Sequence, residues 1–265
     1  MSSETTPMHI AHYFLLIDTM ARMSLRADSS KYFLGYIWWI LEPLLYVAVF
    51  YVVFSVILDA RREDFLVFLM CGKLAFIWFS KSVNQGANSI VASRGLIGKI
   101  NVPKTLFPLA VVHEGLYKQA AVFLLLFIVL YVYGYQPSAS WAWLLPVMAV
   151  NYLMIVACAL VGACMVCLVR DFSMVISLGM MFLLFTSGIF WDVRALGDPA
   201  MTELVLNVNP LAFMLDAYRQ ILMYHTAPDG LHLLLVALGC GVLALCMVAL
   251  MRRGSQFLAL RALSS

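Results

Sequence analysis

Six long apolar segments, separated by polar connections, dominate the sequence. They cover residues 36–58, 65–91, 106–133, 141–169, 174–191 and 231–251. Because the hydrocarbon core of a bilayer takes about 20 apolar residues of helix, the pattern predicts six transmembrane α-helices. The second segment is the least apolar and the fifth is short. Membrane-spanning strands are excluded, since such strands alternate in runs of roughly ten residues, whereas these segments are longer and uniformly apolar.

An amphipathic helix is predicted ahead of the first span, at residues 10–30. Its apolar positions recur at helical spacing and leave Asp18, Thr19 and Arg22 on the other side. The apolar positions are Ile10, Tyr13, Phe14, Ile17 and Ala21. Such a helix fits the interface plane of a membrane. Its position directly before a span favours that interpretation over an ordinary packing helix.

The connection between the fifth and sixth spans, residues 192–230, is long enough to hold structure of its own. Asn209 and Pro210 suit a helix start, with the asparagine as cap and the proline at the first helical position. The following run, 211–223, predicts a second amphipathic helix. Its apolar face carries Leu211, Leu215, Tyr218 and Leu222. We expect this face to rest against the membrane or to roof a pore.

Composition agrees with an all-α integral membrane protein. Of the 265 residues, 64% are hydrophobic and only 12% are charged, against about 25% charged in ordinary soluble domains. The mean hydropathy is +0.94. A soluble core of this size cannot hide so much apolar surface, so lipid must cover much of it. The formal net charge of +3 gives no indication of a nucleic-acid partner.

The basic residues of the connections predict the orientation of the spans. If the N-terminus is cytoplasmic, the inner connections hold Arg22, Arg26, Lys31, Arg94, Lys99, Lys104, Arg170, Arg252, Arg253 and Arg261. The outer connections then hold Arg61, Arg62, Arg194 and Arg219. Cytoplasmic loops of membrane proteins carry the excess of lysine and arginine. Both termini are therefore expected in the cytoplasm.

The chain carries no pattern that supports catalysis or nucleotide binding. Neither H-E-x-x-H nor G-x-S-x-G occurs, and the histidines show no metal-ligand spacing on one helix. The Gly72–Lys73 and Gly98–Lys99 pairs lack the upstream glycine and the following Ser or Thr of a phosphate-binding loop. Glu114 and Lys118 have the spacing of a helical ion pair. We therefore expect a transport subunit with no cofactor or metal of its own, powered by ATP and Mg on another chain.

The second span is polar along one side toward its inner end. This side carries Ser80, Lys81, Asn84, Gln85 and Asn88. These groups must face protein or water, because lipid offers them no hydrogen-bond partner. Two interpretations stay open, a polar seam between helices and the wall of a hydrated conduit.

An aromatic stripe follows the first span. Its members, Tyr36, Trp39, Tyr46, Phe50 and Phe54, cluster on one side of a helical wheel. Aromatic belts at the membrane interface account for the first two, but not for the deeper rings. The stripe is either a packing face between helices or a conduit wall on which sugar rings slide.

The first span opens with Leu34-Gly35-Tyr36-Ile37-Trp38 and Leu41-Glu42-Pro43. These motifs, with others further along the chain, resemble the permeases of ABC-2 type exporters, and most closely the branch that exports O-antigen and capsular polysaccharide. The loop 93–104, Arg170-Asp171, Asn209-Pro210-Leu211 and Tyr218-Arg219 fit the same family. The run 27–32 departs from it, because only Lys31 is basic where the family often has a basic and aromatic run. The resemblance therefore assigns this run no contact with an anionic lipid carrier.

The resemblance implies a homodimer that works with two copies of a separate ATPase in the bacterial inner membrane. The cargo would be polysaccharide on an undecaprenyl pyrophosphate carrier; another substrate, such as teichoic acid, a lipid or a drug, is the alternative. The implied ATPase-coupling residues are Arg94, Gly98, Lys99, Asn101, Lys104, Arg170 and Asp171. The implied conduit residues are Tyr36, Trp39, Tyr46, Phe50, Phe54, Ser80, Asn84 and Asn88. The implied periplasmic gate contains Asn209, Pro210, Tyr218 and Arg219.

Overall fold

A computed structural model describes residues 10–31, 33, 35–53, 64–99 and 102–264. Eleven α-helices make up most of this part of the chain. They are α1 (Ile10–Lys31), α2 (Trp38–Tyr51), α3 (Phe65–Ala92), α4 (Arg94–Ile97), α5 (Leu106–Val132), α6 (Leu144–Leu168), α7 (Phe172–Thr186), α8 (Pro199–Val208), α9 (Pro210–Leu222), α10 (Gly230–Arg253) and α11 (Ser255–Ser264). Short 3-10 turns at Gly35–Ile37, Ala139–Trp143 and Val193–Ala195 lead into α2, α6 and α8.

Four of the predicted spans are confirmed as helices long and apolar enough to cross a bilayer. They are α3, α5, α6 with its leading turn, and α10. The helix α1 and the segment Gly35–Tyr51 meet at 102° and together count as a fifth candidate. The predicted end of that span, with Phe54, lies outside the described residues. At 15 residues, α7 is about 22 Å long, short of the roughly 30 Å hydrocarbon core.

The helix α3 lies at the centre of the bundle and packs most extensively against α6 and α5. Small residues let α3 and α6 approach closely, as is common between membrane helices. A Cβ at Gly86 would lie 2.8 Å from the Cβ of Ala159, and one at Gly162 would lie 2.8 Å from the Cβ of Ala87. A larger side chain at either glycine would therefore separate the two central helices.

The helix α10 lies at the edge of the bundle, where it packs mainly on α6. Only Leu233, Ala244 and Met251 are buried along its length. Most of its leucines are exposed, including Leu235, Leu238 and Leu245. This surface fits contact with lipid, which is the solvent that a mostly apolar helix accepts.

The prediction of a helix after Asn209 is confirmed, and its predicted cap is present. The Oδ1 atom of Asn209 accepts hydrogen bonds from the amides of Leu211 and Ala212, at 3.1 and 3.2 Å. The prediction that its apolar face rests against the membrane is wrong. Every residue from Leu211 to Leu222 is buried, because α9 packs inside the chain against α3, α6 and α8.

The helix α11 was not predicted, and it continues the chain beyond the last span. Leu258 and Ala262, one helical turn apart, are its buried positions. They pack the helix against the end of α6 and against α4. The Sγ atom of Cys167 lies 3.3 Å from the carbonyl oxygen of Leu258, which places α11 directly beneath α6.

Candidate functional site

One end of the bundle gathers most of the exposed basic residues in the described part of the chain, and we call it the basic end. It comprises α4 and α11, the last turn of α3, the link between α6 and α7, and α1. The opposite end carries α8 and α9, and we call it the α9 end. Arg94, Lys99, Arg170 and Asp171 are all exposed at the basic end. The predicted coupling residue Asn101 lies outside the described residues.

The predicted coupling loop begins with the single helical turn α4. Ile97 turns inward and is buried, whereas Arg94 and Gly98 face outward. A Cβ at Gly98 would lie 3.5 Å from the Cδ2 atom of Leu263, so the C-terminal helix packs directly on this loop. The loop therefore has a hydrophobic support that sequence reasoning missed.

Lys104 stabilises the loop from inside. It is 3% exposed, and its Nζ atom donates a hydrogen bond to the carbonyl oxygen of Val102 at 3.0 Å. Burial lowers the pKa of Lys104 from its ordinary value. Next to it, the hydroxyls of Thr105 and Tyr13 share a 2.7 Å hydrogen bond, which ties the loop to α1. The exposed basic groups of the described loop are therefore Arg94 and Lys99.

A groove of about 440 Å³ joins the two predicted coupling segments. Arg94 borders it from α4, and Arg170 borders it from the link between α6 and α7. Asn88 and Ser173 also line it. Residues 76 positions apart in the chain therefore form one basic, exposed surface, as a docking site for an acidic or polar partner requires.

The deeper rings of the aromatic stripe surround a lysine. Lys73 of α3 is 5% exposed, and its Nζ atom lies 4.5 Å from the ring centroid of Phe50. The rings of Phe76, Tyr46 and Phe190 lie within 5.5 to 6.0 Å of the same atom. Aromatic faces attract a cation at such distances. Part of the stripe thus packs on α3, while Tyr36 and Tyr46 remain about half exposed.

The polar side of α3 makes hydrogen bonds to its own helix and to its neighbours. The Nδ2 atoms of Asn84 and Asn88 donate to the carbonyl oxygens of Ser80 and Asn84, at 2.9 and 2.8 Å. Ser177 of α7 donates to the Oδ1 atom of Asn84 at 3.1 Å. Lys81 forms a 2.5 Å ion pair with Glu42 of α2. These contacts give Lys81, Asn84 and Asn88 the polar partners that lipid could not offer.

The helix α1 is attached to α5 by both apolar and polar contacts. Ile17 and Ala21 are buried, which places two of the five predicted apolar positions against protein. Phe14 remains 65% exposed and available to lipid. Tyr117 of α5 donates a 2.5 Å hydrogen bond to Asp18, which holds the pKa of that carboxyl below its usual value.

A second link from α1 to α5 runs through Lys118. Its Nζ atom lies 2.6 Å from Glu114, the partner that the sequence predicts. It also lies 2.9 Å from Asp28 of α1. Sequence reasoning missed Asp28, because no local pattern connects residues 90 positions apart. This end of α1 is therefore held by a carboxylate–ammonium network.

At the α9 end, Arg219 binds three carbonyl oxygens. Its guanidinium donates to Gly188 at 2.6 Å, to Ile189 at 3.0 Å and to Phe68 at 3.3 Å. It also lies 3.5 Å from the ring centroid of Phe68. A Cβ at Gly72 would lie 2.5 Å from the guanidinium, so only glycine leaves room for it. Arg219 thereby joins α9 to α3 and to the turn after α7.

A second arginine, Arg194, binds α9 at the same end from the outer surface of the protein. Arg194 binds both carboxylate oxygens of Asp216, at 2.8 to 3.1 Å. This hydrogen-bonded contact raises the pKa of Arg194. Gln220 donates to the same carboxylate at 2.6 Å. The polar face of α9 is thus satisfied inside the protein rather than by water.

Comparison with known proteins identifies the class of this chain. The ABC-2 type transporter family matches residues 17–223, and the chain belongs to that family. It is a multi-pass membrane protein and a transport subunit that is not itself the ATPase.

Three relatives indicate the branch. The chain is similar to the O-antigen export system permease protein RfbA of Klebsiella pneumoniae, with 26% identity over 82% of this chain and 84% of the relative. It is similar to the protein of the same name from Myxococcus xanthus, with 26% identity over 84% of this chain and 85% of the relative. It is also similar to the polysialic acid transport protein KpsM of Escherichia coli, with 28% identity over 44% of this chain and 46% of the relative.

Proposed function

We propose that this chain is the membrane subunit of an ATP-driven exporter of polysaccharide. Its cargo is undecaprenyl-pyrophosphate-linked glycan, O-antigen first and capsule second, moved across the bacterial inner membrane. The observation that carries the proposal is the similarity to O-antigen export permeases over more than four fifths of the chain. The chain works as a homodimer with two copies of a nucleotide-binding ATPase.

The proposal includes six spans with both termini in the cytoplasm. The basic end is then cytoplasmic and the α9 end is periplasmic. The positive-inside rule supports this assignment, because Arg94, Lys99, Arg170 and Arg252 all lie at the basic end. The first span includes α2, whose segment lies at 102° to α1. The helix α7 is a short fifth span.

The ATPase docks on the exposed surface formed by α4 and the link between α6 and α7. Arg94 and Lys99 contact it from the loop, and Arg170 contacts it across the groove. Two connections carry the motion of the docked ATPase into the bundle. One is the packing of α11 on α4, and the other is the hydrogen bond between Tyr13 and Thr105.

The conduit lies between two copies of the chain. Within one copy, α2 and α7 expose aromatic and apolar side chains, such as Tyr46 and Phe182. A second copy that faces this surface would enclose a path lined by aromatic rings. Sugar rings bind such walls through their C–H faces without fixed hydrogen bonds. The segment α8–α9 forms the periplasmic gate, and Arg219 fixes its position.

The test is ATP-dependent export after charge reversal of the docking surface. The variant Arg94→Glu with Lys99→Glu should insert normally, lose the co-purified ATPase and lose glycan export. The control Arg26→Glu reverses another exposed basic residue at the same end, outside the docking surface, and should keep both. Retention of export and of the ATPase by the double variant would refute the docking assignment.

A further inference from the structure

A cavity of about 500 Å³ lies in the half of the bundle nearer the basic end. Its walls come from the start of α2, the second half of α3 and the middle of α5. Its size is that of a small-molecule site, which usually measures about 300–1,000 Å³. The motif at the start of the first span contributes Gly35, Trp38, Glu42 and Pro43 to its wall, and the polar side of α3 contributes Lys81 and Gln85.

Two hydrogen-bond donors in the wall are buried without a partner among the described residues. They are the indole Nε1 of Trp78 on α3 and the amide Nε2 of Gln119 on α5. The two residues are 3% and 4% exposed. A buried donor left unsatisfied costs about 1–3 kcal/mol. An acceptor-bearing group that reached these donors from the cavity would therefore be stabilised by both helices.

The charged groups of the wall cancel. Lys81 is paired with Glu42, and Lys118 is paired with Asp28. Glu114, just outside the cavity, also contacts Lys118 and adds a further carboxylate. A phosphate or pyrophosphate would therefore meet lysines already engaged by carboxylates and would be repelled by those carboxylates. This balance favours a ligand without net charge.

A neutral polyhydroxyl ligand fits these groups. Hydroxyl oxygens accept hydrogen bonds from the indole and the amide, and hydroxyl protons are donated to carboxylates. The rings of Trp38 and Trp39 line the same cavity and offer apolar surface to the C–H faces of a sugar ring. The wall therefore offers donors to the hydroxyl oxygens of a sugar, acceptors to its hydroxyl protons and aromatic rings to its C–H faces.

We propose that this cavity binds a neutral sugar unit of the cargo on the entry side of the transporter. The site rests on the proposed function, because it presumes that the cargo is a glycan. It lies entirely within one copy of the chain. It gives the exporter a means to select the sugars of its cargo before the chain enters the conduit.

The test is ligand binding to the purified complex with its ATPase in nanodiscs, measured by saturation-transfer NMR. The probes are methyl glycosides of mannose, galactose and N-acetylglucosamine, with pyrophosphate as the anionic comparison. At least one glycoside should bind more tightly than pyrophosphate. Trp78→Phe and Gln119→Leu each remove one neutral donor and should weaken binding by about two- to tenfold. Trp141→Phe removes another unpartnered indole donor outside the cavity and should leave binding unchanged.

Two outcomes would overturn the proposal. One is the absence of glycoside binding, or binding that neither donor variant weakens. The other is tighter binding of pyrophosphate that the donor variants abolish. Wild-type export of the lipid-linked glycan separates this site from the proposed function. If the wild type exports glycan but binds no glycoside, only the proposed sugar site is wrong. If it binds glycosides but shows no ATP-dependent export, only the proposed exporter function is wrong.

Discussion

Arg219 at the α9 end and the ion pairs that attach α1 at the basic end hold basic side chains in different ways. At the α9 end, Arg219 is 2% exposed and is bound by neutral carbonyl oxygens and an aromatic ring. At the basic end, Lys118 and Arg22 bind carboxylates of α1, and the side chains of these pairs are a quarter to two thirds exposed. Neutral carbonyls do not titrate, and buried contacts are only weakly screened.

The difference indicates which of these contacts is easier to break. Partly exposed ion pairs contribute about 0–1 kcal/mol each and weaken with salt. A buried arginine with three carbonyl partners loses several hydrogen bonds at once if it moves. The position of α9 is therefore expected to cost more free energy to change than the position of α1. The attachment of α1 can be remodelled by small changes in its surroundings.

The largest effect is expected from Arg219→Ala. The carbonyl oxygens of Gly188 and Ile189 would lose their donor inside the protein, and the guanidinium would leave a cavity beside Phe68. The free energy of unfolding of the detergent-purified protein should fall by at least about 3 kcal/mol. Differential scanning fluorimetry detects this loss as a lower melting temperature.

Two further variants sharpen the result. Arg219→Lys keeps the charge but lacks the planar fork, so it should recover only part of the stability. Gly72→Ala leaves Arg219 in place but puts a Cβ 2.5 Å from its guanidinium, and should also destabilise. A melting temperature of Arg219→Ala equal to that of the wild type would show that α9 is held by apolar packing alone.

A smaller effect at the same end is expected from Asp216→Asn. The substitution keeps the size of the side chain but removes the charge that binds Arg194 at two points. Gln220 keeps one acceptor. The loss should be about 1–3 kcal/mol, since hydrogen bonds to charged groups contribute more than neutral ones. Chemical denaturation of the purified protein in detergent measures it, with Asp198→Asn, which removes only the charge of an exposed helix cap, as the control. A loss no greater than that of the control would show that the ion pair between Arg194 and Asp216 does not hold α9 in place.

Local patterns were enough to predict most of the helices. The apolar runs gave α3, α5, α6 and α10 within a few residues of their observed ends, because a span must bury about 20 apolar residues in lipid. The cap at Asn209 was predicted correctly because capping needs only neighbouring atoms. The burial of α9 was not predicted, since an amphipathic pattern does not reveal whether its polar face meets water or polar groups from another part of the chain.

Long-range contacts explain what the sequence could not reveal about the candidate sites. The groove between Arg94 and Arg170, and the ion pair of Asp28 with Lys118, join residues that are far apart in the chain. The cavity donors Trp78 and Gln119 look like ordinary positions within apolar helices. Only the packing of α2, α3 and α5 brings them to one wall.

The smallest effect is expected at the basic end, from Asp28→Asn. Burial acts to raise the pKa of Asp28, but hydrogen bonds from Lys118 and Lys31 outweigh it and hold the pKa below its usual value. The carboxylate therefore stabilises the attachment of α1 above about pH 4, its ordinary pKa, and this contribution is lost as the pH falls through the lowered value. Hydrogen exchange of the last turns of α1 should increase by about fivefold at most in the variant, and high salt should have a similar effect on the wild type. Asp171→Asn changes an exposed carboxylate at the same end and should leave exchange in α1 unchanged. If the variant raised exchange by a hundredfold, this ion pair would be as strong as the contacts of Arg219, and the contrast between the two ends would fail.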